Sequence, residues 1–308
     1  MIKVWALKAI VQKTISFFPN REQLNRLFQR YVTKGVYLSD EYFGFKIEHA
    51  RDHLRFFKEY KGGNFENKTV LELGTGWYPI IPLAFYLNGF DKIISIDISQ
   101  LMTKESLLDA IRKMSAWKQE GKLAVFLPDM DPERWATLEK MLAQAGDFDL
   151  NEMQSMINLE TMTLDARNTP FEAGSMDFIC SNNTFEHIYK PILHDILKEF
   201  KRILKKDGIM SHFIDMSDHF AHFDKSITVY NFLRFSERGW DWIDNRIQPQ
   251  NRMRFYEYKN MYEELGIKIL QEEIRPGDLE ALRSIKLHPS FKSVPENELA
   301  ITHGYLVS

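Results

Sequence analysis

The run Val70-Leu71-Glu72-Leu73-Gly74-Thr75-Gly76-Trp77-Tyr78-Pro79 constrains the fold more than any other part of the chain. An apolar stretch enters an acid and two closely spaced glycines, then opens a new helix. That order describes a strand, a tight loop and a helix start, the nucleotide-binding corner of a doubly wound α/β sheet. Glycine at 74 and 76 permits positive φ and lets a ligand approach the backbone. Pro79 suits the first turn of a helix expected over 79–87, where its missing N–H costs nothing.

The loop also separates two kinds of cofactor. A dinucleotide loop places a pyrophosphate against the helix N-terminus and wants a third small residue at its sixth position. Here that position is Pro79, and Glu72 brings a negative charge that repels a pyrophosphate. A cationic cofactor tolerates the acid. Lys92-Ile93-Ile94-Ser95-Ile96-Asp97 then reads as a second strand ending in a carboxylate. Asp97 stands about twenty residues beyond the loop, where an acid accepts both ribose hydroxyls.

Together these residues resemble the class I S-adenosylmethionine (SAM)-dependent methyltransferases, Rossmann-like proteins, with a core of the methyltransferase-type-11 kind. Thr163-Leu164-Asp165-Ala166 is similar to the family's third-strand end, and Met176 to Ile188 to its fourth strand and following loop. Phe200 to Gly208 resembles the helix and turn that lead into strand five. The resemblance spans residues 65–215 and the C-terminal hairpin. The interval from Asp97 to Asp165 is longer than the family's, so an insertion is expected there, at about 128–160. The fold class expected is α/β: a doubly wound, seven-stranded, mostly parallel sheet with an antiparallel C-terminal strand, an N-terminal helical extension and a helical, aromatic cap.

Composition removes several other classes. With 308 residues, a net charge of −3 and 44% hydrophobic residues, the chain reads as an ordinary globular protein without the basic excess of a nucleic-acid binder. The single Cys180 excludes an internal disulfide and fits a reducing, cytoplasmic setting. Residues 2–18 place Val4, Leu7, Val11, Ile15 and Phe18 on one helical face with Trp5 beside them. Packing on the domain or a dimer contact is the favoured role for that helix. Its lysines also make a weak contact with a membrane surface an alternative.

The chain divides into a helical extension over 1–62 and a SAM-dependent domain over 63–308. Helices are expected at 21–31, 46–60, 79–88, 103–118, 132–145 and 190–205. Strands are expected at 69–73, 92–97, 122–127, 160–165, 176–181, 208–215, 267–273 and 300–306. Residues 216–262 follow strand five and carry interleaved aromatic, His, Asp and Arg residues. Ligands of open α/β sheets bind beyond the strands' carboxyl ends, so this segment is expected to form an acceptor-binding cap.

The resemblance implies a cofactor site made of Glu72, Gly74, Thr75 and Gly76 near the amino-acid portion, Asp97 with Ile98 at the ribose, and Asp165 with Ala166 at the adenine. Asn182 is a further candidate, with turn capping as its alternative. Candidate bases are His187, His219 and His222, because an imidazole titrates near neutrality. His187 is the weaker of these, favoured instead as a gate or a structural residue. Asp218 and Asp224 lie near the last two. The same cluster, with His212 and Asp215, also offers metal-ligand types, but the loose spacing and lack of cysteine favour no metal. Arg234, Arg252 and Arg254, with Tyr230, suggest a grip on an anionic acceptor.

The function expected is methyl transfer from SAM, giving S-adenosyl-L-homocysteine, to a small-molecule or glycan acceptor, with O-methylation by a histidine base preferred. An N-methyltransferase and a SAM-binding regulator or assembly factor without transferase activity are the alternatives. Nucleic acid is disfavoured as a partner, since the loop Ser181-Asn182-Asn183-Thr184 lacks an amino-methylation motif. The chain is expected as a monomer or homodimer.

Overall fold

A computed structural model describes residues 4–18, 37–245 and 248–308, so the helix expected over 21–31 lies outside the described residues. The strands are β1 Thr69–Leu73, β2 Lys92–Asp97, β3 Leu159–Thr163, β4 Met176–Asn182, β5 Leu204–Asp215, β6 Gln271–Arg275 and β7 His303–Val307. They form one seven-stranded sheet in the order β3-β2-β1-β4-β5-β7-β6. β1 pairs in parallel with β2 and β4, and β2 with β3. β7 runs antiparallel to β5: Met210 and Ser308 exchange both backbone hydrogen bonds, at 2.7 and 3.0 Å. The expected antiparallel last strand, inserted between two others, is therefore present.

Local sequence explains the central elements. β4 is buried at every position, as a central strand covered on both faces requires. Gly74 and Gly76 both take positive φ, at 79° and 74°. Pro79 is the N-cap of helix Ile80–Leu87, all of whose residues are buried. Thr103 and Ser106 form a capping box that starts helix Lys104–Gln119. The insertion begins helix Pro132–Ala143 with an Asp131 cap and a proline in the first turn. Asp149 and Glu152 cap helix Leu150–Met156.

One element differs in type. Residues expected as a strand over 122–127 form the short helix Leu123–Phe126. Leu123 and Leu127 are both fully buried while Val125 is 72% exposed, a spacing of four that a helical turn satisfies and an alternating strand does not. β6 begins at Gln271 rather than 267, since Gly266 and the four residues after it connect it to helix Phe255–Glu264.

The chain forms two compact units. The first comprises Leu38–Asn182, Asp195–His212 and Val307–Ser308, and its core gathers Phe57, Phe85, Phe90 and Phe178 around β1 and β4. The second comprises the described residues within 1–37, together with Asn183–His194 and Phe213–Leu306. Its core joins Ala9, Tyr230, Phe232, Trp240, Leu282 and Leu299.

Helix Val4–Ile15 belongs to the second unit, and it packs through a different face from the one expected. Ala9, Gln12 and Ser16 are buried, whereas Val4, Leu7 and Ile10 are more than half exposed. Its polar anchors set that rotation. The Trp5 backbone N–H donates to Asp224 at 3.0 Å, and Lys13 Nζ donates to the carbonyls of Asp241 and Asp244, each at 2.7 Å. The lysine thereby neutralises the C-terminal end of helix Glu237–Ile243.

Candidate functional site

In the first unit Glu72, Gly74, Thr75, Gly76, Asp97 and Ile98 lie at the carboxyl ends of β1 and β2. Glu72 stands directly opposite Ser95 in the parallel register. Thr75 donates its hydroxyl to Glu72 Oε2 and also meets Ser95 Oγ in a short contact, so the two hydroxyls form a relay onto one carboxylate. Glu72 is only 2% exposed. Burial pushes its carboxyl up to about 7, against the opposing hydrogen bond from Thr75 and the charge of Lys46, while Asp97 adds to the rise. Lys46 comes from the long helix Asp40–Lys61.

The glycine loop is tied to β2 by Gly74 N–H, which donates to Ile96 O at 2.8 Å. A Cβ built at Gly76 meets no atom within 4 Å, so the loop faces open space. Asp97 ends β2 with Oδ1 accepting from Ser99 N–H at 3.2 Å and Oδ2 lying 3.4 Å from Gly76 N. Burial raises its carboxyl, and the backbone N–H groups of Ser99, Gly76 and Ile98 oppose the rise. Ile98 itself exposes 76% of its surface. An exposed apolar residue beside an oriented carboxylate and a backbone loop fits a nucleoside with one polar and one apolar face.

Asp165 lies two residues beyond β3. Both its oxygens accept from Arg167 at 2.6–3.0 Å, and these charge-assisted bonds lower its carboxyl. It must exchange that partner to receive an adenine amino group. Ala166 and Asn182 are almost fully buried. A concavity of about 900 Å³ is lined by Asp165, Arg167, Lys198 and Glu199 and includes none of Glu72, Gly76 or Asp97. The geometry of Glu72, the two glycines and Asp97 fits SAM, whose ammonium suits a carboxylate and whose ribose suits Asp97. The adenine end fits only with Asp165 released from Arg167.

In the second unit Asp215, the last residue of β5, is 4% exposed and gathers three imidazoles. Nε2 of His219 and of His222 lie 3.3 and 3.7 Å from Oδ2, and Nε2 of His303 lies 3.4 Å from Oδ1. Ser217 N–H donates to Oδ1 at 2.8 Å and fixes the carboxylate. Burial acts to raise Asp215, but the three imidazoles outweigh it and hold the carboxyl well below the usual range. Sequence reading grouped Asp215 with these histidines. It missed His303, which joins only because β7 lies beside β5.

His187 sits in a short 3-10 turn, with Nδ1 2.7 Å from the Pro249 carbonyl. A carbonyl only accepts, so Nδ1 carries the proton. The His187 ring stands 5.0 Å from that of His219. His212 is elsewhere, in the first unit: it is fully buried, its Nδ1 is 2.8 Å from Ser181 Oγ, and burial depresses it well below the ordinary range. It does not join the Asp215 cluster. Asp218 and Asp224 do not orient the imidazoles either. Asp218 accepts from Phe220 N–H and Asn231, and Asp224 accepts from Trp5 and Ser226.

Three residues expected to hold the acceptor have other employment. Arg254 is fully buried and donates to the carbonyls of Met216 at 2.6 Å, Leu299 at 2.8 Å and Ile301. Burial draws its guanidinium down to about 10, with surrounding tyrosines and acids opposing. Arg252 ties the carbonyls of Phe232 and Phe235 and pairs with Glu237. The Tyr230 hydroxyl donates to Ala300 O at 2.9 Å. These side chains donate to main-chain carbonyls of turns and short helices. Arg234 remains exposed, donating to Asn231 at 3.2 Å.

Residues 115–211 match the family model described as a methyltransferase domain. That segment runs from helix Lys104–Gln119 into β5 and includes Asp165 and Asn182, though not the glycine loop. Among solved structures, the chain is similar to a SAM-dependent methyltransferase from Leishmania major, at 12% identity and TM-score 0.45, covering 99% of this chain and 83% of that one. It is also similar to a geranyl diphosphate methyltransferase solved with SAM, at 11% identity and TM-score 0.44, covering 89% and 92%. The YcgJ protein of Bacillus subtilis matches at 14% identity and TM-score 0.43, covering 84% and 96%. No curated protein sequence matches the chain. The methyltransferase-domain match is confined to residues 115–211, and the sheet order β3-β2-β1-β4-β5-β7-β6 is the architecture that the sequence resemblance implies. Among the described residues no helix is long and apolar enough to cross a membrane.

Proposed function

We propose that the protein O-methylates a hydroxyl of a small-molecule or glycan acceptor, releasing S-adenosyl-L-homocysteine, and that the acceptor is activated at the Asp215 cluster. One observation carries this reading: a buried, backbone-fixed carboxylate faces Nε2 of His219 and His222. A carboxylate that holds the proton on Nε2 leaves Nδ1 as the basic nitrogen. His219 Nδ1 then takes the hydroxyl proton as the oxygen acquires the methyl group, and Asp215 stabilises the resulting imidazolium. SAM supplies an already activated methyl carbon, so the chain contributes alignment and proton removal. Glu72 holds the cofactor's ammonium, Asp97 its ribose, and Asp165 with Ala166 its adenine. Arg234 is the guanidinium left to meet an anionic group on the acceptor.

The test is transfer from methyl-labelled SAM to fractionated cell extract, followed by chemical analysis of the labelled product. An O-linked methyl group, lost with Asp97→Ala and reduced about 10²–10⁴-fold with His219→Ala, supports the reading. A labelled amine made equally well by His219→Ala overturns it in favour of N-methylation. SAM binding without transfer to any fraction leaves a regulator as the reading.

A further inference from the structure

The separations around Asp215 are long for charge-assisted hydrogen bonds and match the spacing of ligands about a metal ion. Charge-assisted N–H···O contacts lie at ~2.7–2.9 Å. Here the three Nε2···Oδ separations are 3.3, 3.7 and 3.4 Å. Two ligands, each ~2.0–2.1 Å from a tetrahedral ion, stand roughly 3.3 Å apart. The ligand atoms of Asp215, His219 and His222 all lie within 4.8 Å of one another.

We propose that Asp215, His219 and His222 bind a first-row divalent transition metal, with His303 beside them at the other carboxylate oxygen. Two imidazoles and a carboxylate form a donor set suited to zinc or ferrous iron, and not to magnesium or calcium, which require oxygen ligands. With neutral imidazoles the cluster carries one negative charge, complementary to a dication. The fold also supplies outer support. Ser217 N–H holds Asp215 Oδ1 at 2.8 Å; His219 is the N-cap of the single helical turn Phe220–Phe223 and His222 lies within it, the turn starting five residues after β5 ends. Such outer hydrogen bonds orient metal ligands.

A second group, Glu186 and His187 with His219, also has its ligand atoms within 4.8 Å of one another. His219 is common to both sets, so His187 stands at the edge of the site. Use of the metal in catalysis rests on the O-methylation reading, whereas its binding does not. With an ion bound, the ion would hold the acceptor oxygen and acidify its hydroxyl, and the proton that His219 takes in the metal-free protein would pass to water instead.

Cobalt(II) is the probe, added to the full-length, metal-stripped protein and followed by its visible absorption. The proposal expects one equivalent to bind with bands typical of nitrogen and oxygen coordination. Zinc should displace it, and millimolar magnesium should not. Asp215→Asn and His219→Ala should each weaken binding at least tenfold while SAM affinity, a check on folding, stays within about twofold. Featureless spectra, or bands that persist unchanged in both variants, overturn the site. Cobalt bound without any O-methyl product leaves the site standing and removes the O-methylation reading. O-methyl transfer by a protein that binds no cobalt does the reverse.

Discussion

Glu72 bears a carboxyl that burial lifts from 4.5 to about 7. Because the fold favours its neutral form, the stability it contributes is fully present below about 4.5 and is lost as pH rises through about 7. A cationic cofactor needs the ionised form, so SAM binding should expel a proton below that pH. Its affinity should fall by up to about tenfold per pH unit as the solution is acidified from neutrality. Calorimetry at pH 8 and pH 6, in buffers of different ionisation enthalpy, reads both effects. Glu72→Gln should bind more weakly and lose the pH dependence, whereas an unchanged slope would remove Glu72 from the cofactor's charge. Arg254 offers a second residue-scale prediction. Arg254→Met strips three carbonyls of their donor, and urea denaturation should show a loss of about 3–5 kcal/mol. A change under about 1 kcal/mol would mean those carbonyls find other partners.

At the scale of elements, the tightest constraint is at Gly277, ahead of helix Leu279–Arg283. A Cβ there would come within 1.9 Å of the Tyr230 hydroxyl and 2.1 Å of the Ala300 carbonyl. Gly277→Ala should therefore cost at least roughly 1–3 kcal/mol, with a lowered melting temperature as the readout. The same packing shows what sequence can and cannot disclose. The strand, glycine loop and acid of 70–97 were legible because their chemistry is local: apolar run, positive φ, terminal carboxylate. Residues 122–127 form a helical turn in place of the expected strand, because leucine, valine and phenylalanine suit a strand by type while the burial of Leu123 and Leu127 follows the helical period. Asp215 and His303 belong to strands far apart in the chain, so only the antiparallel pairing of β5 and β7 brings them together. The roles expected of Arg252 and Arg254 failed for a related reason. A guanidinium matches a carboxylate ligand and a cluster of main-chain carbonyls equally well, and only the fold shows which one it meets.

For the whole molecule, the residues of the two proposed sites fall in different compact units. The first holds the proposed cofactor residues and the second the imidazole cluster and helix Val4–Ile15. That helix contributes Trp5, whose ring lies 5.9 Å from those of both Phe220 and Phe235. Its two described lysines face protein partners. Lys8 lies over the rings of Phe220 and Phe223, and Lys13 caps the helix that ends at Ile243. Packing, rather than attraction to an anionic membrane, is the role this arrangement supports. Removal of residues 1–18 should lower the melting temperature by several degrees and leave SAM affinity within about twofold. Loss of SAM affinity in a folded truncation would count against this assignment of residues.

The central claim is that Glu72, the glycine loop and Asp97 form a SAM site. Calorimetric titration of the full-length protein with SAM, beside Asp97→Ala and with NADH as the competing cofactor, tests it most directly. The account predicts one SAM per chain, affinity at least tenfold weaker in Asp97→Ala, and no measurable NADH binding. NADH binding tighter than SAM, or SAM binding indifferent to Asp97, would contradict it.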